Sequence, residues 1–323
     1  MKKLLCCSVT VFAMLASGSA TYATAPSQIV VNNRAVPSPS ATPIVEKGNT
    51  LVPLRYVADA LGASVSWDAG KRTVVATKWS DSITFREGSD TAFVVNGATS
   101  QKPKTVRLGA KVIVRQNHVY VPLRFIAQTF GYTVSLENNI ISIKSPLSKK
   151  DRDLLSTGKL GETRQFVRSK ALSNRRFAQQ PIWYPSQGRE GYELTFLFPQ
   201  GEANRFFLVS GDTAEFYELI DGFFVVTWRA LIPIGTEDEL NLFLNGKFTQ
   251  ATGKYPTLGQ KTFFYYTDSS IFTSERRAAG RINPDGTITQ LGIKWIVSDE
   301  IKEQSGSLAL ELPSEVRQEV RLP

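Results

Sequence analysis

The chain is almost without sulfur and imidazole. Its 323 residues include 2 cysteines, 2 methionines and 1 histidine. Cys6, Cys7, Met1 and Met14 all fall within the first 25 positions. Beyond them no thiol, disulfide or thioether is available, so packing alone must hold the fold, a composition suited to an oxidising exterior. A tight copper site wants clustered imidazoles or sulfur ligands, and the lone His118 provides neither. Nor is there a histidine beside Ser210-Gly211-Asp212, so a Ser-His-Asp triad is excluded unless His118 reaches across from the other half of the chain. A phosphate-cradling G-x-x-x-x-G-K-[ST] run is also missing. His118 immediately precedes the apolar run Val119–Val121 and reads as an exposed turn residue.

Long apolar runs are equally scarce. Lys2 and Lys3 precede a nearly unbroken apolar run from Leu4 to Leu15, followed by small residues to Ala20 and by Ala23-Thr24-Ala25. This is the pattern of a secretory signal peptide over residues 1–25, with cleavage expected after Ala25 and with Ala20 and Ala23 as alternatives. Cys6 and Cys7 precede the apolar run, whereas a lipid-modified cysteine would follow it. No later stretch approaches the roughly 18 apolar residues that would span a membrane. The segment from Leu312-Pro313-Ser314 onward lacks the Thr-Gly and apolar tail of a sortase signal, so any wall attachment is expected to be non-covalent.

Charge is unevenly spread. From Pro26 to Ser145 there are 14 lysines and arginines against 7 acids; from Pro146 to Pro323 the two kinds balance at 22 each. Lys102, Lys104, Arg107, Lys111 and Arg115 follow one another without an acid between them. Such a face speeds encounter with a polyanion, in a salt-sensitive way. For an exported chain the expected polyanions are wall polymers or an anionic envelope surface rather than nucleic acid. Strand-borne surface charge explains the same residues without a ligand.

The first half repeats itself. Val52-Pro53-Leu54-Arg55-Tyr56-Val57-Ala58 returns as Val121-Pro122-Leu123-Arg124-Phe125-Ile126-Ala127. Leu61-Gly62 then answers to Phe130-Gly131, Val65-Ser66 to Val134-Ser135, and upstream Val30-Val31-Asn32-Asn33 to Val94-Val95-Asn96-Gly97. Proline at a first helical position needs no amide partner and has helical φ already. The apolar residues Leu54, Val57, Ala58 and Leu61 fall on one helical face, and Gly62 suits a left-handed stop. Strands are predicted at 64–67, 73–77, 82–86, 92–96, 133–136 and 140–143, joined by turns such as Asp68-Ala69-Gly70. Residues 26–145 thus read as an α+β domain built from a duplicated helix-plus-antiparallel-strand unit.

These segments resemble the copper amine oxidase-like N-terminal domain, or stalk domain, of exported proteins in Gram-positive bacteria. The resemblance is carried over about residues 28–145 by Asn49-Thr50-Leu51-Val52-Pro53-Leu54-Arg55, Ala60-Leu61-Gly62-Ala63, Val65-Ser66-Trp67-Asp68 and Val119-Tyr120-Val121-Pro122-Leu123-Arg124. Asp59 and Gln128 stand where the family often has Glu, and Leu136-Glu137 where it often has Trp-Asp. The resemblance implies a stalk or adaptor separate from the oxidase's catalytic domain, without copper or any other cofactor.

The second half carries a different pattern. Residues 146–191 read as a linker. It opens with the charge run Ser148–Asp153, suited to a helix start, and holds one short helix over 162–172, with Phe166 and Val167 inward and Arg164, Arg168 and Lys170 on the wet face. From Tyr192 onward short alternating runs follow closely, at 192–198, 205–209, 214–220, 223–230, 240–244, 262–266, 280–282, 287–291 and 294–297. Residues 192–323 are therefore expected to be mainly β, a sandwich or a barrel meander. Glu215 and Glu218, three apart on one strand, point to opposite faces and make a poor glycosidase pair. Glu237-Asp238-Glu239 reads as solvated or as a cap. Trp183-Tyr184 are candidates for an aromatic platform under a sugar ring, or for a cover over the sheet edge.

The sequence thus predicts a secreted or wall-associated, non-catalytic cell-envelope protein, a stalk or adaptor module that binds anionic or glycan wall polymers, joined to a β-rich domain of unknown ligand. The competing reading is a secreted carbohydrate-active hydrolase with acidic residues in the second half.

Overall fold

In a computed structural model the described residues are 28–37, 41–46, 48–97, 100–173, 175–181, 191–233 and 238–319. Residues 1–25, expected from sequence to be a signal peptide, and the pair Trp183-Tyr184 lie outside them.

The N-terminal region opens with β1 (Gln28–Val31), β2 (Arg34–Ala35), β3 (Ile44–Glu46) and β4 (Asn49–Pro53), which runs into α1 (Leu54–Ala60). A meander follows: β5 (Ser64–Asp68), β6 (Thr73–Lys78), β7 (Asp81–Arg86), β8 (Thr91–Asn96) and β9 (Ser100–Arg107). Then come β10 (Ile113–Arg115), β11 (His118–Pro122), α2 (Leu123–Thr129), β12 (Thr133–Glu137) and β13 (Ile140–Lys144). Each helix starts directly after a proline in extended conformation, Pro53 or Pro122, and each is followed by a glycine of positive φ, Gly62 or Gly131. Strands β4 and β11 pair antiparallel with Val52 opposite Val121, which sets the two helices around one shared ladder. Leu54, Val57, Ala58 and Leu61 from one helical segment meet Leu123, Ile126, Ala127 and Phe130 from the other in a single core.

Beyond those helices the two segments part company. Strand β5 begins the five-stranded meander, whereas β12 and β13 join a four-stranded sheet in which β13 pairs parallel with β1. The strands are therefore not all antiparallel, because β1 at the start of the domain is laid beside its last strand.

The C-terminal region begins with α3 (Lys149–Thr157), α4 (Leu160–Lys170) and β14 (Arg175–Phe177). It continues with β15 (Tyr192–Pro199), β16 (Arg205–Ser210), β17 (Thr213–Ile220), β18 (Phe223–Leu231), α5 (Glu239–Leu244) and β19 (Ala251–Gly253). The last strands are β20 (Phe263–Ile271), β21 (Ser274–Ile282), β22 (Ile288–Val297) and β23 (Glu300–Gly306). All ten strands of this region form one sheet along the path β14-β18-β17-β16-β15-β20-β21-β22-β23, with β19 on β18. A mainly-β region was expected, but among the described residues the sheet is open, neither paired face to face with a second sheet nor closed into a barrel.

Both faces of that sheet are covered. Phe196, Phe198, Phe206, Tyr217 and Phe264 pack under Leu155 and Val167 of α3 and α4 and under the tail residues Leu310 and Leu312. The opposite face, with Leu197, Phe207, Phe216 and Trp228, lies under Leu242 and Phe243 of α5. The segment expected to be a linker is thus part of this second unit. Ser148 and Asp151 form a reciprocal cap on α3, and β14 adds a parallel strand to β18. Arg164 is not on a wet face: its side chain is fully buried against Glu315. Residues 240–244 form a helix rather than a strand, because the Asp238 side chain accepts from the Asn241 amide and starts a helical turn. The two runs 287–291 and 294–297 are one strand, continuous through buried Gly292, which lies beneath the Ser307 backbone.

The two regions meet at a built joint. The Asp221-Gly222 turn between β17 and β18 carries Phe223 into the N-terminal core, where its ring meets Trp79 and Tyr132 edge-on at 5.2 and 5.0 Å. The β6–β7 turn grips the other side. The Ser80 amide donates to the Phe177 carbonyl at 2.9 Å, and Gln180 Nε2 donates to the Ser80 carbonyl at 2.6 Å. Buried Asp81 accepts from the Gly97 amide and faces Arg176 at 3.7 Å. Burial raises its pKa more than the nearby guanidinium lowers it.

Candidate functional site

The five basic residues singled out by sequence come to the surface without sharing one face. Strand β9 is the edge of the five-stranded sheet, and its residues 102–107 are all exposed, Pro103 among them. Proline and lysine are what an open sheet edge tolerates. Lys104 lies opposite Val94 and Arg107 opposite Thr91 in continuous register, so strand alternation puts these two on opposite faces, while Lys102 falls where the ladder is irregular, between Lys104 and Ser100. Lys111 is exposed in the loop after β9. Arg115 ends β10, the edge of a different sheet, opposite His118.

His118 is half-buried as the first residue of β11, not an exposed turn residue. It lines a cleft of about 520 Å³ on the N-terminal region, between α1, the β5–β6 hairpin and the β10–β11 hairpin. The floor is apolar, with Leu54, Val65, Val74 and Val119. Trp67 continues the inward row of β5 begun by Val65, yet it is 44% exposed because the cleft opens there. Tyr56 of α1 lines the cleft as well, its hydroxyl 3.5 Å from the Val36 carbonyl, and burial raises its pKa. Around these rings stand Arg55, Asp59, Asn117 and His118, none of whose side chains bonds to another described residue.

Trp67 belongs to the family-like segment Val65-Ser66-Trp67-Asp68, and the pattern of that segment does not by itself predict a cleft. The available signal was a tryptophan on a strand whose neighbours Ser64, Ser66 and Asp68 are small or polar. Its convergence with Asn117, fifty positions later, is set by the pairing of β4 with β11 and was not readable locally.

The buried carboxylates Glu215 and Glu202 of the C-terminal region are held in ion pairs. Glu215 is buried, accepts from the Tyr217 hydroxyl at 2.7 Å, and faces Arg229 at 3.2 Å and Arg175 at 3.5 Å. A cavity of about 240 Å³ touches this group. Burial pushes the Tyr217 hydroxyl well above its ordinary pKa, and the Glu215 charge adds to the shift. The irregularity beside Tyr217 falls on β18, where Thr227 is skipped, so Glu215 and Glu218 stay on opposite faces of β17. Glu202 is likewise buried, with Arg205 at 2.8 and 2.9 Å and Lys261 at 2.7 Å. Burial alone would raise its pKa, but the bonds from Arg205 and Lys261 outweigh that and hold it low. Among the described residues no three His, Cys, Asp or Glu side chains converge as a metal site, and no helix is long and apolar enough to cross a membrane.

With both helices, their shared ladder and the cleft in place, the N-terminal region falls into a defined class of module. Residues 30–144 match the family model of the copper amine oxidase N-terminal domain, which in those oxidases is a non-catalytic, stalk-like module. The match ends at β13, before α3. No curated protein and no solved structure matches the chain.

Proposed function

We propose that this is an exported, non-catalytic protein of the cell envelope. In this reading two copies of one helix-bearing unit form a stalk-type domain that holds the β-sheet domain and contacts anionic wall polymers along its basic edge. The observation that carries the reading is the exposed stretch 102–107 at a sheet edge, within a run from Asp90 to Glu137 that contains no acid between its ends. A polymer of regularly spaced negative charge meets Lys102, Lys104 and Arg107 there without opposing carboxylates of the same segment, and the attraction is screened by salt. Export rests on the signal-like residues 1–25, and the non-catalytic character on the stalk-type domain. In the second half, buried Glu215 and Glu202 are each held by two cations and are not poised as an acid and base pair.

The test is sedimentation of the purified protein with isolated wall fragments across a salt series. Binding should be strong at low salt, fall as salt rises, and be lost when Lys102, Lys104 and Arg107 are replaced together by alanine. Absence of binding at low salt, or binding indifferent to salt and to the triple replacement, would remove the basic edge from the account.

A further inference from the structure

The cleft beside α1 plays no part in the reading above. We propose that it is a saccharide-binding subsite that takes one or two rings of an uncharged sugar chain, stacked against Trp67. Its volume of about 520 Å³ lies inside the roughly 300–1,000 Å³ range of small-molecule sites. The composition is also of that kind, an apolar floor with a few convergent polar groups.

The polar groups decide the chemistry. Arg55 brings only donors, Asp59 only acceptors, and Asn117 and His118 bring both. None is bonded to another described residue, so each is free to be satisfied by a ligand. An apolar peptide side chain would cover these groups without offering them partners, which is unfavourable. A polyanion would meet the Asp59 carboxylate at the cleft wall. A neutral polyol offers donors and acceptors together, and the C–H face of its ring can cover the half-exposed indole. The charges of Arg55 and Asp59 cancel, which agrees with an uncharged ligand.

The corresponding position after the second V-P-L-R segment is Leu136, also exposed, which supplies apolar surface without an aromatic face. It therefore serves as an internal control.

The test is a titration of the purified protein with the tetrasaccharides of N-acetylglucosamine and of glucose, read from the tryptophan indole N–H signals in NMR spectra. A Trp67→Phe spectrum assigns the relevant signal. Expected is a saturable shift of the Trp67 signal with at least one sugar, unchanged between low and high salt. Trp67→Ala should weaken binding by about tenfold or more, which is about 1.4 kcal/mol. Leu136→Ala and the triple replacement of Lys102, Lys104 and Arg107 should leave it intact. Because Trp67 is half exposed, its replacement leaves the fold in place, which the remaining indole signals report. The proposal is overturned if neither sugar shifts the signal, if Trp67→Ala binds as well as the parent, or if an uncharged apolar peptide binds there and the sugars do not. Failure here leaves the salt-dependent wall contact untouched, and failure of that contact leaves this one standing.

Discussion

Among the described residues two buried cations are held by different means, one at the joint between the two regions and one inside the C-terminal region. Lys78, 3% exposed, donates to the Leu61 carbonyl at 2.5 Å and lies 4.2 Å from the Trp79 ring centre. Its only carboxylate partner among the described residues is Asp221 at 3.5 Å, and that side chain is more than half exposed. Arg164 instead makes two 2.8 Å bonds to Glu315, and its remaining donors reach the carbonyls of Glu202, Leu310 and Pro199. Burial lowers the pKa of both, against the pull of their carboxylates. A planar guanidinium can satisfy a full set of acceptors at once, whereas a compact ammonium depends on few. The C-terminal core therefore rests on a complete ion pair, and the joint rests mainly on aromatic packing.

Removing Arg164 tests this contrast most severely. Arg164→Ala leaves Glu315 charged and buried, and should destabilise the C-terminal region by about 3–5 kcal/mol in urea unfolding. Replacing both partners, as in Arg164→Met with Glu315→Leu, should recover much of that loss, because no buried charge is then stranded. Acid acts on the same pair. Burial by itself raises the Glu315 pKa, but hydrogen bonds and attraction from Arg164, with the Gly201 and Leu312 amides, hold it below its ordinary value of 4.5. A carboxylate lowered in the folded state contributes stability above its unfolded pKa and loses it as pH falls through the folded one. The unfolding midpoint should thus drop below about pH 4.5 in the parent and drop less in the double variant. An equal acid response in both would mean that the pair is not the source.

At the joint the larger effect should come from a ring. Phe223→Ala empties the space between Trp79 and Tyr132 and should cost about 3 kcal/mol. The same change should loosen the two regions, read as faster protease cleavage near residues 178–181 and a separate early unfolding step. A single sharp transition at the parent midpoint would show that the joint is held by something other than this insertion.

How legible each region was in the sequence follows the same contrast. Pro53, Gly62, Pro122 and Gly131 each impose a local backbone constraint, so both short helices and their ends could be read directly. Alternation likewise gave β6, β7, β8 and β15 to β18 close to their observed bounds. Residues 240–244, an apolar run too short to show a period, were misread as a strand; the Asp238 cap settles the matter. The burial of Arg164 was invisible because its partner Glu315 lies 151 residues further along the chain. The linker reading failed for a related reason: the charges of α3 and α4 gave no hint of the sheet face that covers Leu155 and Val167. The cleft beside Trp67 needs the long-range pairing of β4 with β11 and has no local signature either.

The smallest effect is expected where a buried charge looks most costly to lose. Lys78→Met keeps length and apolar bulk while removing the ammonium. It leaves the Leu61 carbonyl without its donor, a loss of about 1 kcal/mol, and frees Asp221 to face solvent where it is already half exposed. Against this, the desolvation that lowers the Lys78 pKa is a penalty carried by the charged form at neutral pH, and the variant does not carry it. The two nearly cancel, so the midpoint should move by no more than about 1 kcal/mol in either direction. The sign can be followed with pH. A lysine lowered in the folded state sheds its penalty as pH rises through the folded pKa toward 10.5, so the parent should gain on Lys78→Met over that interval. A loss near that of Arg164→Ala would instead make the ammonium, not the Phe223 ring, the element that fastens the two regions together.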